Sequence, residues 1–231
     1  MTVFRNLLGG AAAIALAACG GASTETPEGD DNANELHEKL VDVAKATYAL
    51  EKSHAFLSFK IGHGHGTSSY QISFTDFDAT LVFDPADPEA SKLDVTVNPM
   101  AVEANYRGYY SASHPDSIYA TWNEDISRNP VLLDGDTHPE ITFTSTGIQR
   151  TGDDTGTVTG DLTLLGVTNP VTFDVSFGGV ANVPWFGERD VLGFDATSVF
   201  NRADWGLTAY APMIGEDITV SFSGEFLQNE E

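Results

Sequence analysis

The residue best placed for covalent chemistry stands near the start of the chain. Leu16-Ala17-Ala18-Cys19 ends an apolar run from Leu7 to Ala18 that follows the basic residue Arg5. One basic residue, an uncharged apolar stretch and small residues before a cut make the pattern of a secretory signal over residues 1–18. The run falls short of the roughly 20 residues that a spanning helix needs, and no later stretch is longer. Cys19 is the only cysteine, so no internal disulfide can form. Its position has the form of a lipobox, in which the chain is cut before Cys19 and the sulfur is acylated. Two or more acyl chains hold a protein at a bilayer stably, whereas one does so only marginally.

Two further groups carry chemically capable side chains. In Gly62-His63-Gly64-His65-Gly66 the two histidines would face one side of an extended segment, as a metal arm requires. No third ligand lies nearby, and the run reads instead as a solvated glycine loop. It also lacks the Lys-Ser/Thr of a phosphate cradle. In Asn201-Arg202-Ala203-Asp204-Trp205-Gly206, Arg202 either meets a polar head group at a cavity mouth or pairs with Asp204 or a loop carboxylate. Trp122 and Trp185 either close the ends of a cavity or are half-buried loop aromatics. No Gly-x-Ser-x-Gly nucleophile elbow occurs. No catalytic residue, metal or cofactor is expected.

The elements that must hold these groups follow from composition and period. Of 231 residues, 34 are acidic and 11 are Lys or Arg, giving a formal charge of -23, and a polyanion such as nucleic acid would be repelled. With 41% hydrophobic residues, 14 Phe and 22 Gly, this is a folded, turn-rich chain, of a size for one domain plus a tail. Residues 20–33 are small, polar and acidic, a flexible tether. Between Asn34 and Ala46 the residues Leu36, Leu40, Val43 and Ala44 fall near helical spacing, with Asn32 and Glu35 as a capping box, so a short helix is expected. The domains are then 1–18 signal, 19–46 lipidated cysteine and tether, and 47–231 the folded body.

From Tyr48 onward the apolar period drops to two, the mark of strands with one buried face. The inward set runs through Ala55, Leu57, Phe59 and Ile61, then Ile72 and Phe74, then on the opposite parity Phe77, Ala79, Leu81 and Phe83. Holding both parities inside requires a bulge at Thr75 and Asp76. Leu93, Val95 and Val97 form a third strand, and Ile141, Phe143 and Ser145 a fourth. Val158, Gly160, Leu162 and Leu164 turn through residues 166–170 into Val171, Phe173, Val175 and Phe177. Leu192, Phe194, Ala196, Ser198 and Phe200 make a seventh strand, and Ile218, Val220, Phe222, Gly224 and Phe226 an eighth. Eight strands without intervening helices predict an all-β antiparallel sandwich or barrel. Residues 99–139, dotted with Tyr106, Tyr109, Tyr110, Tyr119 and Trp122, are too long for a hairpin loop and read as a lid or binding element.

Five segments then carry a family likeness: SHAFLSFKIGH from Ser53, FTDFDATLVFDP from Phe74, HPEITFTST from His138, GDLTLLGVTNPVTF from Gly160 and GFDATSVFNRADWGL from Gly193. In this order they resemble the bacterial YceI-like lipid/polyisoprenoid-binding domain, over about Tyr48 to Phe226. The resemblance implies a lipocalin-like eight-stranded antiparallel barrel with an elongated apolar cavity for an isoprenoid or other long-chain amphiphile. Ligand-binding residues would be Leu57, Phe59, Ile61, Phe74, Leu81, Val95, Phe143, Leu162, Phe173, Val175, Phe194, Val220 and Phe222. The chain departs from the family pattern between its third and fourth strands and in the glycine-histidine run.

The expected action is non-enzymatic sequestration or transport of a long lipid, a quinone or polyprenyl, in the cell envelope. A membrane partner is reached through the anchor, and Gly20, where inner-membrane lipoproteins of related export systems carry Asp, favours the outer membrane. Two alternatives stay open. One is a structural lipoprotein whose barrel is filled by its own phenylalanines, and the other a lipid-modifying enzyme.

Overall fold

The structure, a computed structural model, describes Val43, residues 45–106 and residues 108–230. The signal segment, Cys19, the tether and nearly all of the expected helix lie outside the described residues. Where that helix was expected to end, Ala46 already opens a strand, and Val43 is buried against the core.

The described chain forms β1 (Ala46–His63), β2 (Ser68–Phe74), β3 (Phe77–Phe83), β4 (Lys92–Val97), β5 (Val102–Glu103), β6 (Ile141–Arg150), β7 (Thr155–Leu164), β8 (Val167–Asn182), β9 (Asp190–Asn201) and β10 (Ile214–Gln228). Neighbours run β1-β3-β4-β6-β7-β8-β9-β10, all antiparallel, and β10 pairs back with β1. That closes an eight-stranded barrel. Closure removes the sheet edges that an open sandwich would leave, and so decides the alternative that periodicity left open.

The parity switch at Thr75 and Asp76 does more than bulge a strand. β2 pairs with the second half of β1, from Leu57↔Phe74 to His63↔Ser68, while β3 pairs with its beginning, from Ala46↔Phe83 to Ala49↔Thr80. Between them the backbone crosses to another partner: Thr75 N–H donates to Ala101 O at 2.8 Å and Asn98 N–H to Asp76 O at 3.0 Å. One wall position is thus shared by two strands. This is how Phe74 and Phe77, of opposite parity, both face inward.

β1 is longer than its alternation suggests because residues 52–54 loop out between Glu51↔Glu225 and Ala55↔Gly224. The β7–β8 turn is also tighter than expected. Leu165 and Gly166 both have positive φ (52° and 72°), the signature of a two-residue primed hairpin, and the ladder resumes at Leu164↔Val167. Pro170 therefore lies within β8 and not in the turn.

The connections sort into two ends. The β1–β2, β7–β8 and β9–β10 connections and the long 98–140 segment gather at one, here the lid end. The β3–β4, β6–β7 and β8–β9 connections and the start of β1 gather at the base. Within the lid segment, α1 (Tyr110–Ser113) and α2 (Trp122–Arg128) are short. α2 starts because Thr121 Oγ1 accepts from Glu124 N–H at 3.1 Å and the Glu124 carboxylate accepts from Ala120 N–H at 2.8 Å, close to a capping box.

Tyr48, fully buried near the base with its ring edge-on to Phe83, supplies a pH-dependent contribution to stability. Burial, followed by the nearby Asp190, pushes its phenol up to about 12 from an ordinary 10.0. A group raised on folding stabilises fully below its unfolded value and loses that contribution as pH climbs through the folded one. Stability should therefore fall between pH 10 and about 12, by at most about 3 kcal/mol. Urea unfolding of Tyr48→Phe across that window should show a flatter profile than the parent; equal slopes would remove Tyr48 as the cause.

Candidate functional site

Inward side chains of a filled barrel should be uniformly buried. Here they are not: along β8, Val171 is buried while Phe173, Val175 and Phe177 on the same face are only half-buried, and Leu57, Phe59, Val95, Val220 and Phe222 behave alike. They border a void. A cavity of about 700 Å³ runs from the lid into the barrel, within the range of small-molecule sites. Leu57, Phe59, Ile61, Phe74, Val95, Phe143, Leu162, Phe173, Val175, Val220 and Phe222 line it.

Leu81 and Phe194 are placed elsewhere, on a second chamber of about 330 Å³ at the base. Leu93, Val158, Val175, Ala196, Phe222 and Phe226 border both chambers. Rings crowd the passage between them: Phe194 lies 5.2 Å from Phe177 and 5.9 Å from Phe226, which is 6.1 Å from Phe222. The lumen is narrowed toward the base and hollow above. Gly160 helps to shape it, since a Cβ there would sit 2.5 Å from Thr144 O and collide with the Phe143 ring.

Arg202 is 3% exposed and borders the cavity, yet its fork is committed to the backbone. Nε donates to Gly215 O at 2.7 Å, Nη1 to Leu207 O at 2.6 Å, and Nη2 to Ala209 O at 2.7 Å and Ile214 O at 3.2 Å. The expected pairing with Asp204 is not what holds it. Burial keeps its guanidinium below its ordinary value, with Glu216 acting the other way. The surrounding motif is a clasp. Asn201 Oδ1 accepts from Ala203 N–H, Gly206 turns with φ +80°, and Trp205 Nε1–H donates to Leu162 O at 3.1 Å, pinning the β9–β10 connection to β7.

His63 and His65 diverge. Gly64, His65 and Gly66 all take positive φ, which turns His65 out into solvent. His63 ends β1 with its ring 4.8 Å from Tyr70 and lines the cavity, so it is wall and not solvated loop. Trp185 is 74% exposed in the β8–β9 connection, whereas Trp122 closes the lid end.

Around Trp122 lies an assembly of rings that sequence reading did not resolve. Tyr106, Tyr110, His114 and Tyr70 approach it at 4.7, 5.1, 4.8 and 6.2 Å between centroids. Burial raises the phenols of Tyr70 and Tyr110, so both stay neutral at ordinary pH. Asp125 is buried beneath them and accepts from Asn129 Nδ2 at 2.7 Å. Trp122 Nε1 is buried with no hydrogen-bond partner. The signal that could have placed α2 was Thr121-x-x-Glu124; the convergence of the rings is a tertiary property that no spacing encodes.

Among the described residues, one trio has the geometry of metal ligands: Glu51, His54 and Glu225, whose ligand atoms lie within 4.8 Å of one another. It stands on the outer wall at the β1 excursion, where Ser53 Oγ already donates to the Glu51 carboxylate at 2.7 Å. The cavity does not reach it.

The fold and the cavity together define a lipocalin-like barrel with a hollow apolar interior. The chain belongs to the YceI-like family, whose domain matches residues 48–226. It is 37% identical over 182 residues to a UPF0312 protein of Pseudomonas savastanoi pv. phaseolicola, covering 78% of this chain and 86% of that one. Among solved structures, Burkholderia cenocepacia BcnA superposes with a TM-score of 0.62 at 17% identity, over 78% of this chain and 99% of its own. A polyisoprenoid binding domain from Saccharophagus degradans implicated in plant cell wall breakdown gives 0.55 at 14% identity, over 80% and 100%. These two likenesses speak to the fold.

Proposed function

We propose that the protein binds a long-chain isoprenoid-type lipid with a neutral head group, such as an isoprenoid quinone, and sequesters or carries it in the cell envelope. The hollow apolar lumen carries this reading. At roughly 0.8 kcal/mol per buried CH2, a tail of about fifteen carbons gives about 12 kcal/mol gross, against association costs of about 4 to 15 kcal/mol, so only a long chain is held usefully. The polyisoprenoid binding of the Saccharophagus domain, which shares the fold, agrees with such a cargo.

The neutral head follows from where the cations are. Arg202 at the main cavity spends its donors on four carbonyls, and at the base chamber Arg150 donates to Asp153 O at 3.0 Å. A diphosphate entering the main cavity would meet no uncommitted arginine or lysine among the described lining residues, whereas Arg150 at the base chamber is exposed and spends only its Nη2. Stripping water from an ion without a partner is expensive. The reading is of binding without bond-making, with Cys19 as the lipidated residue and the outer membrane as the site of attachment.

Native mass spectrometry of protein extracted from membranes, followed by organic extraction, tests this. An adduct of several hundred daltons that is released by solvent and lacks phosphorus is expected. A phosphorylated adduct would overturn the neutral head, and a bare protein mass even after incubation with quinone-bearing vesicles would overturn the binding.

A further inference from the structure

We propose that the lid end of the barrel docks on the surface of a neutral lipid bilayer, so that cargo passes between membrane and cavity without crossing water. The purpose of such docking rests on the binding reading above, but the docking itself is read without cargo.

Three observations converge. First, apolar side chains project from the lid uncovered by the other described residues: Tyr109 is 87% and Ile118 90% exposed. Beside them Tyr106, Tyr210 and Met213 are at once exposed and part of the cavity wall, so the patch is continuous with the lumen. An exposed apolar surface that runs into a lipid-sized cavity is what a membrane-loading mouth needs, and tyrosine rings suit the interface because one edge is polar.

Second, the stretch of the lid segment that carries Tyr109 and Ile118 is poor in charge, although its flanks hold Glu103, Glu124, Asp125, Asp134, Asp136 and Glu140. Residues 104–123 hold one acid, Asp116, and one base, Arg107, in a chain with 34 acids in 231 residues. A protein of charge -23 is repelled by an anionic surface and gains nothing electrostatically from a neutral one. An exposed apolar stretch this poor in charge suits a zwitterionic bilayer better than an anionic one. Exposed Trp185 at the base is instead flanked directly by Glu188 and Asp190.

Third, the length of chain between Cys19 and β1 is compatible with either end of the barrel facing a membrane. The N-terminal segment joins β1 at the base, and the stretch from Cys19 to Lys45 can span up to about 90 Å when extended. An anchored protein is free to present its lid. Trp122 Nε1 is enclosed in the lid without an acceptor, and opening the ring cluster would release that donor to water.

The test uses the full chain with Trp185→Phe, which leaves Trp122 and Trp205 near the lid end, mixed with phosphatidylcholine vesicles whose acyl chains are brominated. Bromine quenches only indoles held close to it. Strong quenching is expected, falling about fivefold in Tyr109→Ser/Ile118→Ser, whose N-terminal segment contributes equally in both proteins. The two substituted side chains are exposed and their loss should leave folding intact, which circular dichroism checks. Equal quenching in the two proteins would overturn the proposal. So would quenching of the parent chain that vanishes with Trp185→Phe, which would put the base at the membrane. A vesicle-independent dimer dissolved by the double substitution would assign the patch to a second copy instead. Quenching without bound lipid would fail the cargo reading and keep the docking; lipid retention without quenching would do the reverse.

Discussion

Arg202→Met should destabilise the protein by about 4 kcal/mol or more, a large share of the 5 to 15 kcal/mol that holds a typical domain folded. Methionine fills much of the arginine stem but donates nothing. Four carbonyls, those of Leu207, Ala209, Ile214 and Gly215, lose charge-assisted partners at a site where Arg202 is 3% exposed. Each orphaned acceptor costs about 1 to 3 kcal/mol if it stays dry, and relaxation of the β9–β10 connection recovers part of the sum. Arg202→Lys should be only slightly better, because one ammonium cannot span acceptors spread over nine residues of chain. The urea midpoint of the full chain measures this. The contrary outcome is a variant with the parent midpoint that has lost its lipid, which would return Arg202 to the head-group role that its place beside the mouth suggested.

How far the sequence spoke can be traced through the same residues. Inward alternation is local, so Phe77, Ala79, Leu81 and Phe83 were legible as one face, and all four are buried while Asp78, Thr80 and Val82 point out. The parity clash at Thr75 was legible too. Its resolution was not, because a bulge and a change of partner leave the same trace in the chain, and only the pairing of Thr75 with Ala101 separates them. Closure, likewise, is a relation between β1 and β10 at the two ends of the domain. Eleven of the thirteen residues named as cavity lining border the main cavity. Leu81 and Phe194 fall on the base chamber because period two assigns a face and says nothing of height along the barrel. Arg202 shows the remaining limit. An arginine two residues from an aspartate invites an ion pair, yet the positive φ of Gly206 carries the backbone around so that carbonyls, and not Asp204, reach the fork. The lid rings were visible as composition, but which of them meet depends on how residues 98–140 cross the barrel mouth.

Phe173→Asp should abolish lipid retention, and it discriminates between a cavity that holds cargo and one that is merely empty. Phe173 lines the main chamber with its ring edge-on to Phe143 at 5.3 Å. The substitution removes that contact, with a loss of about 3 to 5 kcal/mol typical of deleting a packed aromatic. It also sets a carboxyl in the lining, where it either charges, and pulls water into the lumen, or stays protonated at a desolvation cost of several kcal/mol. In both cases an alkyl chain no longer finds a dry wall, and retention should fall at least a hundredfold, equivalent to about 2.7 kcal/mol. Phe173→Leu keeps the wall apolar and separates loss of cargo from loss of fold: it should fold and retain lipid, as should His65→Ala in the exposed β1–β2 turn. Lipid mass per folded protein, measured after size exclusion, reads all three. A folded Phe173→Asp protein that still carries the parent's lipid would move the binding site away from the wall that Phe59, Phe143, Phe173 and Val175 share.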